Sequence, residues 1–159
     1  MKKFLSVLTL LLMPLLAIAS VEVDGICYNL NADTQEATVT SSDGGYSGNI
    51  VIPSTITVDG TVYNVTSIGE SAFWMCWNPT SLSIHRSVTN IEEYAFSDCC
   101  GLTSLTIPEG VTSIGDEAFA NCSSLASIVW DSPLAVTQGK WGEGVSNNPN
   151  ALLYVKSAE

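Results

Sequence analysis

Basic residues are scarce in this chain. Lys and Arg together number five against sixteen Asp and Glu, the formal net charge is −11 over 159 residues, and there is a single histidine. A nucleic-acid partner is therefore not expected, because affinity for phosphate needs clustered Lys and Arg. An anionic lipid surface would be repelled as well. Charged residues of both signs make up 13% of the chain, about half the usual share, so Ser and Thr supply much of the polar surface. The chain has no Gly-rich phosphate loop and no Gly-x-Ser-x-Gly elbow. Its acids are dispersed, which gives a paired-carboxylate hydrolase no support. Cys99-Cys100 lacks zinc-type spacing and no histidine cluster accompanies it. Neither a metal nor a cofactor is expected.

Long apolar runs are missing too, except at the start. Lys2 and Lys3 precede the almost wholly apolar stretch from Leu5 to Ile18, and Ala17-Ile18-Ala19 supplies small residues. This pattern predicts a secretory signal peptide over 1–19, too short for a comfortable membrane span. A retained anchor is the alternative. Cleavage would leave one domain without an integral membrane segment, secreted or held at the cell surface, with three basic residues against sixteen acidic ones.

What the chain has in quantity is repetition. Val65-Thr66-Ser67-Ile68, Val88-Thr89-Asn90-Ile91 and Val111-Thr112-Ser113-Ile114 open three contiguous 23-residue units, 65–87, 88–110 and 111–133. Seven positions are identical in all three: Val, Thr, Ile, Ala-Phe, Cys and Ser. A fixed short period of this kind predicts a solenoid whose units bury their apolar faces against one another. Within a unit, the two-residue spacing of Leu105 and Ile107 reads as a strand with one buried face. Ala-Phe reads as a helical turn, and Glu70, Glu93 and Asp116 just ahead of it suit the N–H groups of a helix start.

Residues 20–64 are strand-like and lack the full repeat. Ile26 to Leu30 and Ala37 to Thr40 read as two strands, and Ile50-Val51-Ile52-Pro53 matches Leu105-Thr106-Ile107-Pro108 as a partial rung. Ile56 to Tyr63 alternates around Asp59-Gly60, a preferred two-residue hairpin turn. Residues 134–159 lose the pattern. Gly139, Trp141, Gly142 and Gly144 with Asn147-Asn148-Pro149 read as a loop, and Leu152 to Val155 as a last strand, the whole tail serving as a C-terminal cap.

All five cysteines follow residue 19. Cys76, Cys99 and Cys122 share one repeat position and read as buried hydrophobes in preference to a disulfide or metal site, while Cys27 with Cys100 is a pairing left open. A Cys76–His85 nucleophile pair would need an exposed thiol and an imidazole oriented by a third group, which the ladder position of Cys76 opposes.

The first unit carries the candidate binding residues. Trp74, Met75 and Trp77 stand where the second unit has Ser97, Asp98 and Cys100, and His85-Arg86 replaces Pro108-Glu109. Exposed Trp near Arg is a common hot spot; burial of both rings under the N-terminal hairpin is the opposing reading. A second candidate is the outward row of the strands: Thr80, Ser81 and Ser83, then Thr103, Ser104 and Thr106, then Ser127. In the simplest account that row is the soluble face of a sheet.

From Leu102 to Ile107, then Pro108, Val111, Ile114, Ala118-Phe119, Asn121-Cys122 and Leu125, the chain resembles the BspA-like (Treponema pallidum-type) leucine-rich repeat of bacterial surface and secreted proteins. The likeness covers about 50–133. Pro79 in place of Leu102 and Leu125, and Trp130 in place of Ile84 and Ile107, depart from it. The resemblance implies a curved, right-handed stack with a parallel sheet on its concave side, commonly preceded by such a hairpin insertion, and adhesion to host matrix proteins or other cells. The strands and hairpin of 20–64 are expected to form an N-terminal β-hairpin cap. The expectation is thus a β-rich leucine-rich-repeat solenoid with short helical turns. It would act as a non-enzymatic binding module for an extracellular protein or glycan. A secreted hydrolase or thiol enzyme, with its site between the N-terminal hairpins and the first repeat, and a self-associating structural protein are the alternatives.

Overall fold

The computed structural model describes residues 20–132 and the backbone of Leu152–Val155. The expected signal segment 1–19 and the loop spanning Gly139 to Pro149 lie outside the described residues.

Each repeat contributes two short strands, and like strands of successive units pair side by side. The first ladder runs β1 (Val21–Val23), β2 (Ile26–Asn31), β3 (Glu36–Thr40), β6 (Thr61–Ile68), β8 (Asn90–Ile91) and β10 (Ser113–Ile114). From β3 onward its pairings are parallel. The invariant Thr secures it. The Thr66 carbonyl accepts from both the backbone N–H of Thr89, at 2.8 Å, and its hydroxyl, at 3.3 Å, and Thr112 repeats the pair on Thr89.

The second ladder comes from the late apolar stretch of each unit, in two parallel groups. One is β4 (Ser47–Ile52) with β7 (Asn78–Ile84), and the other is β9 (Ser104–Ile107), β11 (Ser127–Trp130) and β12 (Leu152–Val155). Ile50 pairs with Leu82 and Ile52 with Ile84, so the partial rung expected before the first unit is in register with it. Opposite Pro79 the register slips by one residue at Thr80. Proline has no N–H to give the ladder, and a bulge is where a strand tolerates it. Trp130, in the column of Ile84 and Ile107, is buried beside Val155 in the pairing.

The expected hairpin is present as β5 (Thr55–Val58) against β6, with both turn residues, Asp59 and Gly60, at positive φ. A second such turn, Asp24-Gly25, joins β1 to β2.

The helical turn expected around Ala-Phe does not form, and no helix occurs among the described residues. Instead each unit makes overlapping turns. In the first, Ala72, Trp74 and Cys76 donate their N–H groups to the carbonyls of Gly69, Ser71 and Phe73. Left-handed residues recur at the repeat period: Ser71, Tyr94 and Glu117, then Met75, Asp98 and Asn121, all with φ between 52° and 57°. A helix needs consecutive right-handed residues, so the alternation forbids one. The N–H groups of Ser71, Phe73 and Met75 go across to the carbonyls of Glu93, Ala95 and Ser97 in the next unit. Backbone groups are therefore satisfied between units, not along the chain. Glu70, Glu93 and Asp116 occupy the second place of the first turn and face solvent, so no helix dipole explains them.

One core runs through all the described units. At its centre Phe73, Phe96 and Phe119 stack with ring centroids 5.0 and 5.4 Å apart and planes within 12° and 4°. Tyr46 closes the N-terminal end of the stack, 4.7 Å from Phe73. Its hydroxyl donates to the Thr40 carbonyl and accepts from the Cys27 N–H, and its own N–H meets Cys76 Sγ at 3.4 Å.

Candidate binding surfaces

The turn ladder determines what the first unit can show. Side chains at the Ala, Phe and Cys positions point into the core, while those between and beyond them face outward or sit over the next unit. Trp74 takes the position of the buried Ser97 and Ala120, where an indole has no room inside, and it is 52% exposed. Met75 and Trp77 are 50% and 65% exposed. The N-terminal hairpins do not cover the rings, and the three side chains form an apolar projection on an otherwise polar face. Beside it the turns are acidic. The Tyr94 phenol is held above its ordinary range by Glu117 first, then by Glu93.

His85 and Arg86 are not part of that projection. They follow β7, whereas Trp77 immediately precedes it, and seven extended residues span roughly 20 Å. At their end of the strand they line a groove of about 420 Å³ with Pro53, Pro108, Glu109 and Asp131. Arg86 pairs with Glu109 at 3.6 Å, both side chains exposed, and such a surface pair contributes little. The His85 Nδ1 accepts the Ser87 N–H at 3.1 Å, which occupies the nitrogen that an orienting carboxylate would need.

The hydroxyl row lies on the outer face of the second ladder. Ser83, Ser104 and Thr106 are exposed there, Thr80 forms the bulge, and Ser81 donates to Asn49 Oδ1. Ser127 is half-buried, and Thr103 is exposed just ahead of β9 while its carbonyl accepts the N–H groups of Ala126 and Ser127. In register, Val51 and Val129 flank Ser83 and Thr106 at the two ends of the row, and both valines are exposed.

Cys76, Cys99 and Cys122 are buried, Cys27 and Cys100 are half-buried, and all five are free, so the Cys27–Cys100 pairing is not made. Burial raises all three ladder thiols, Cys122 to about 12, which removes the thiolate a nucleophile requires. Cys76 and His85 also lie at opposite ends of β7. Among the described residues no cluster of His, Cys, Asp and Glu could hold a metal, and no helix is long and apolar enough to cross a membrane.

One surface was not expected from the sequence. A cavity of about 870 Å³ lies between β4, the β1–β2 turn and the approach to β5. Its position depends on β1, which sequence periodicity does not show, although Asp24-Gly25 is a hairpin signal that could have located it.

Residues 49–140 match the sequence profile of the BspA type leucine rich repeat region, in six copies. No curated protein matches the chain. Among solved structures, the chain is similar to a leucine-rich repeat protein from Bacteroides capillosus, 26% identical, with 87% of this chain and 99% of that one covered and a TM-score of 0.71. A leucine-rich repeat protein from Bacteroides ovatus is also 26% identical, over 68% of this chain and 40% of that one, with a TM-score of 0.45. The Treponema pallidum leucine rich repeat protein is 19% identical over 69% and 70%, with a TM-score of 0.40.

Proposed function

The chain belongs to the BspA-type leucine-rich-repeat family, and from that premise we propose that it is a secreted or surface-held adhesion module that recognises an extracellular protein or glycan through its first repeat. Repeat stacks of this class generally serve as extended binding surfaces and not as enclosed catalytic sites. The observation that carries the reading is the exposed set Trp74, Met75 and Trp77, placed where the other units have Ser97, Asp98 and Cys100, and Ala120, Asn121 and Ser123. Large rigid aromatics contribute most of the energy of many interfaces, and their exposure in one unit out of three is not required by the repeat. His85 with Arg86, and the row Thr80, Ser81, Ser83, Thr103, Ser104, Thr106 and Ser127, are proposed as secondary contacts at the far end and on the strand face.

The same reading takes residues 1–19 as an export signal, 20–64 as an N-terminal β cap, 65–133 as the repeats and 134–159 as a C-terminal cap. It also takes the second ladder as the concave side of a solenoid. The acidic turns beside Trp74 favour a partner with basic groups near its apolar contact.

A binding screen of the purified protein against matrix proteins and glycans tests this. Trp74→Ala and Trp77→Ala are expected to abolish capture of the partner found while changing stability by less than about 0.5 kcal/mol, as is usual for exposed sites. Undiminished binding by the double variant would sink the proposal.

A further inference from the structure

The two ladders do not end together. On the N-terminal side the first continues past β3 into β2 and β1, whereas the second stops at β4. Because β3 and β4 belong to one rung, the first ladder overhangs the second by two strands. Under the overhang is the cavity of about 870 Å³, beside the free edge of β4, which among the described residues pairs with β7 alone. Such an edge presents unpaired N–H and C=O groups, the usual template for an added strand.

The lining matches that use. Val51, which is exposed, and the half-buried Val23 and Pro53 supply its accessible apolar surface, over a floor of the buried Ile26, Tyr28, Ile50 and Ile56. Ser47, Asn49, Thr55 and Thr57 make the rest of the lining polar. Asp24, at the tip of the β1–β2 turn, is the one charged residue among the described residues that lines the cavity. None of Trp74, Met75 and Trp77 lines it, so it is separate from the surface proposed above.

We propose that this notch takes one extended peptide segment of a partner protein, which adds to β4 as a further strand, with apolar side chains at alternate positions and a Lys or Arg opposite Asp24. Main-chain hydrogen bonds to the β4 edge hold the segment, and pockets for alternate side chains select it. The charge preference follows from Asp24 and from a chain whose net charge is −11, which attracts cationic segments and repels acidic ones. The six residues of β4 span roughly 20 Å, room for a segment of about the same length.

The test uses the purified full chain and the synthetic peptide Lys-Val-Thr-Val-Thr-Val, read by titration calorimetry and by hydrogen exchange at the β4 amides. The peptide is expected to bind and to slow exchange within Ser47–Ile52. Replacing its Lys by Glu, or Asp24 by Asn in the protein, should weaken binding by up to about fivefold, the scale of one exposed charge pair. Two N-methylated peptides, each blocking one of the two strand edges, provide the decisive contrast: one should bind and the other should not. No binding of the parent peptide, equal binding of both N-methylated forms, or protection located away from β4 would overturn the proposal. Trp74→Ala with Trp77→Ala should leave peptide binding unchanged, so failure here and failure of the first-repeat surface are told apart.

Discussion

Gly110 lies so close to the preceding unit that a Cβ at its position would stand 1.8 Å from the Arg86 carbonyl oxygen. Backbone cannot yield as a flexible side chain would, so Gly110→Ala should destabilise the fold by about 1–3 kcal/mol, as overpacking does, read as a lower urea midpoint. Tyr46 is the other residue on which much local structure converges. Tyr46→Phe keeps the ring against Phe73 but leaves the Thr40 carbonyl and the Cys27 N–H without their partner. A cost of about 1–3 kcal/mol follows from leaving such groups unsatisfied, and the same denaturation measurement checks it. Tyr46 shows no periodic signal because the turn before β4 is shorter than those of the full units. It stands four residues ahead of Ile50, whereas Phe73 stands nine ahead of Leu82.

Between elements, the cysteine column and the phenylalanine column are two sides of one packed seam. Cys99 lies between Cys76 and Cys122 in the repeat column, and Phe96 is stacked on both faces. Phe96→Ala would open a void in the middle of the stack and should cost about 3–5 kcal/mol. The thiols give a chemical readout of the same seam. Burial raises Cys122 to about 12, whereas in the unfolded chain a thiol ionises near ~8.5. Below that range folded and unfolded states are both protonated and the thiols leave stability unchanged. As pH rises above it the unfolded chain loses its proton first, so stability should fall progressively between roughly pH 9 and pH 12. Alkylation at pH 8, followed by mass spectrometry, should modify at most the half-buried Cys27 and Cys100 in the folded protein and all five cysteines in urea.

For the molecule as a whole, the interunit hydrogen bonds make the 23-residue period a rule of register. Deleting 88–110 joins Ser87 to Val111, so the Thr, Phe, Cys and Ser columns all continue across the junction. That shortened protein should fold, with a lower midpoint, because each unit is stabilised chiefly by its neighbours. Deleting 88–109 instead puts every later side chain one place out of register, which turns buried positions outward. Circular dichroism and urea titration of the two deletions should show one folded protein and one that fails to fold. A folded 22-residue deletion would contradict the register argument.

The sequence by itself determined the repeat, its apolar columns, the Asp59-Gly60 hairpin, the partial rung at Ile50 to Ile52 and the family. Each of these rests on local spacing or identity, which one chain displays without coordinates. It misread the Ala-Phe segment, because a short apolar pair with an acid ahead of it looks alike in a helical turn and in overlapping β-turns. What separates the two is where the N–H groups of Ser71, Phe73 and Met75 go, and their acceptors belong to the next unit. Only the tertiary structure decided that Trp74 and Trp77 are exposed, and that His85 and Arg86 lie at the other end of β7. It also decided that β1 and β2 overhang β4. These are relations between residues far apart in the chain or on different ladders, set by which strand edge lies beside which, and no periodicity records them.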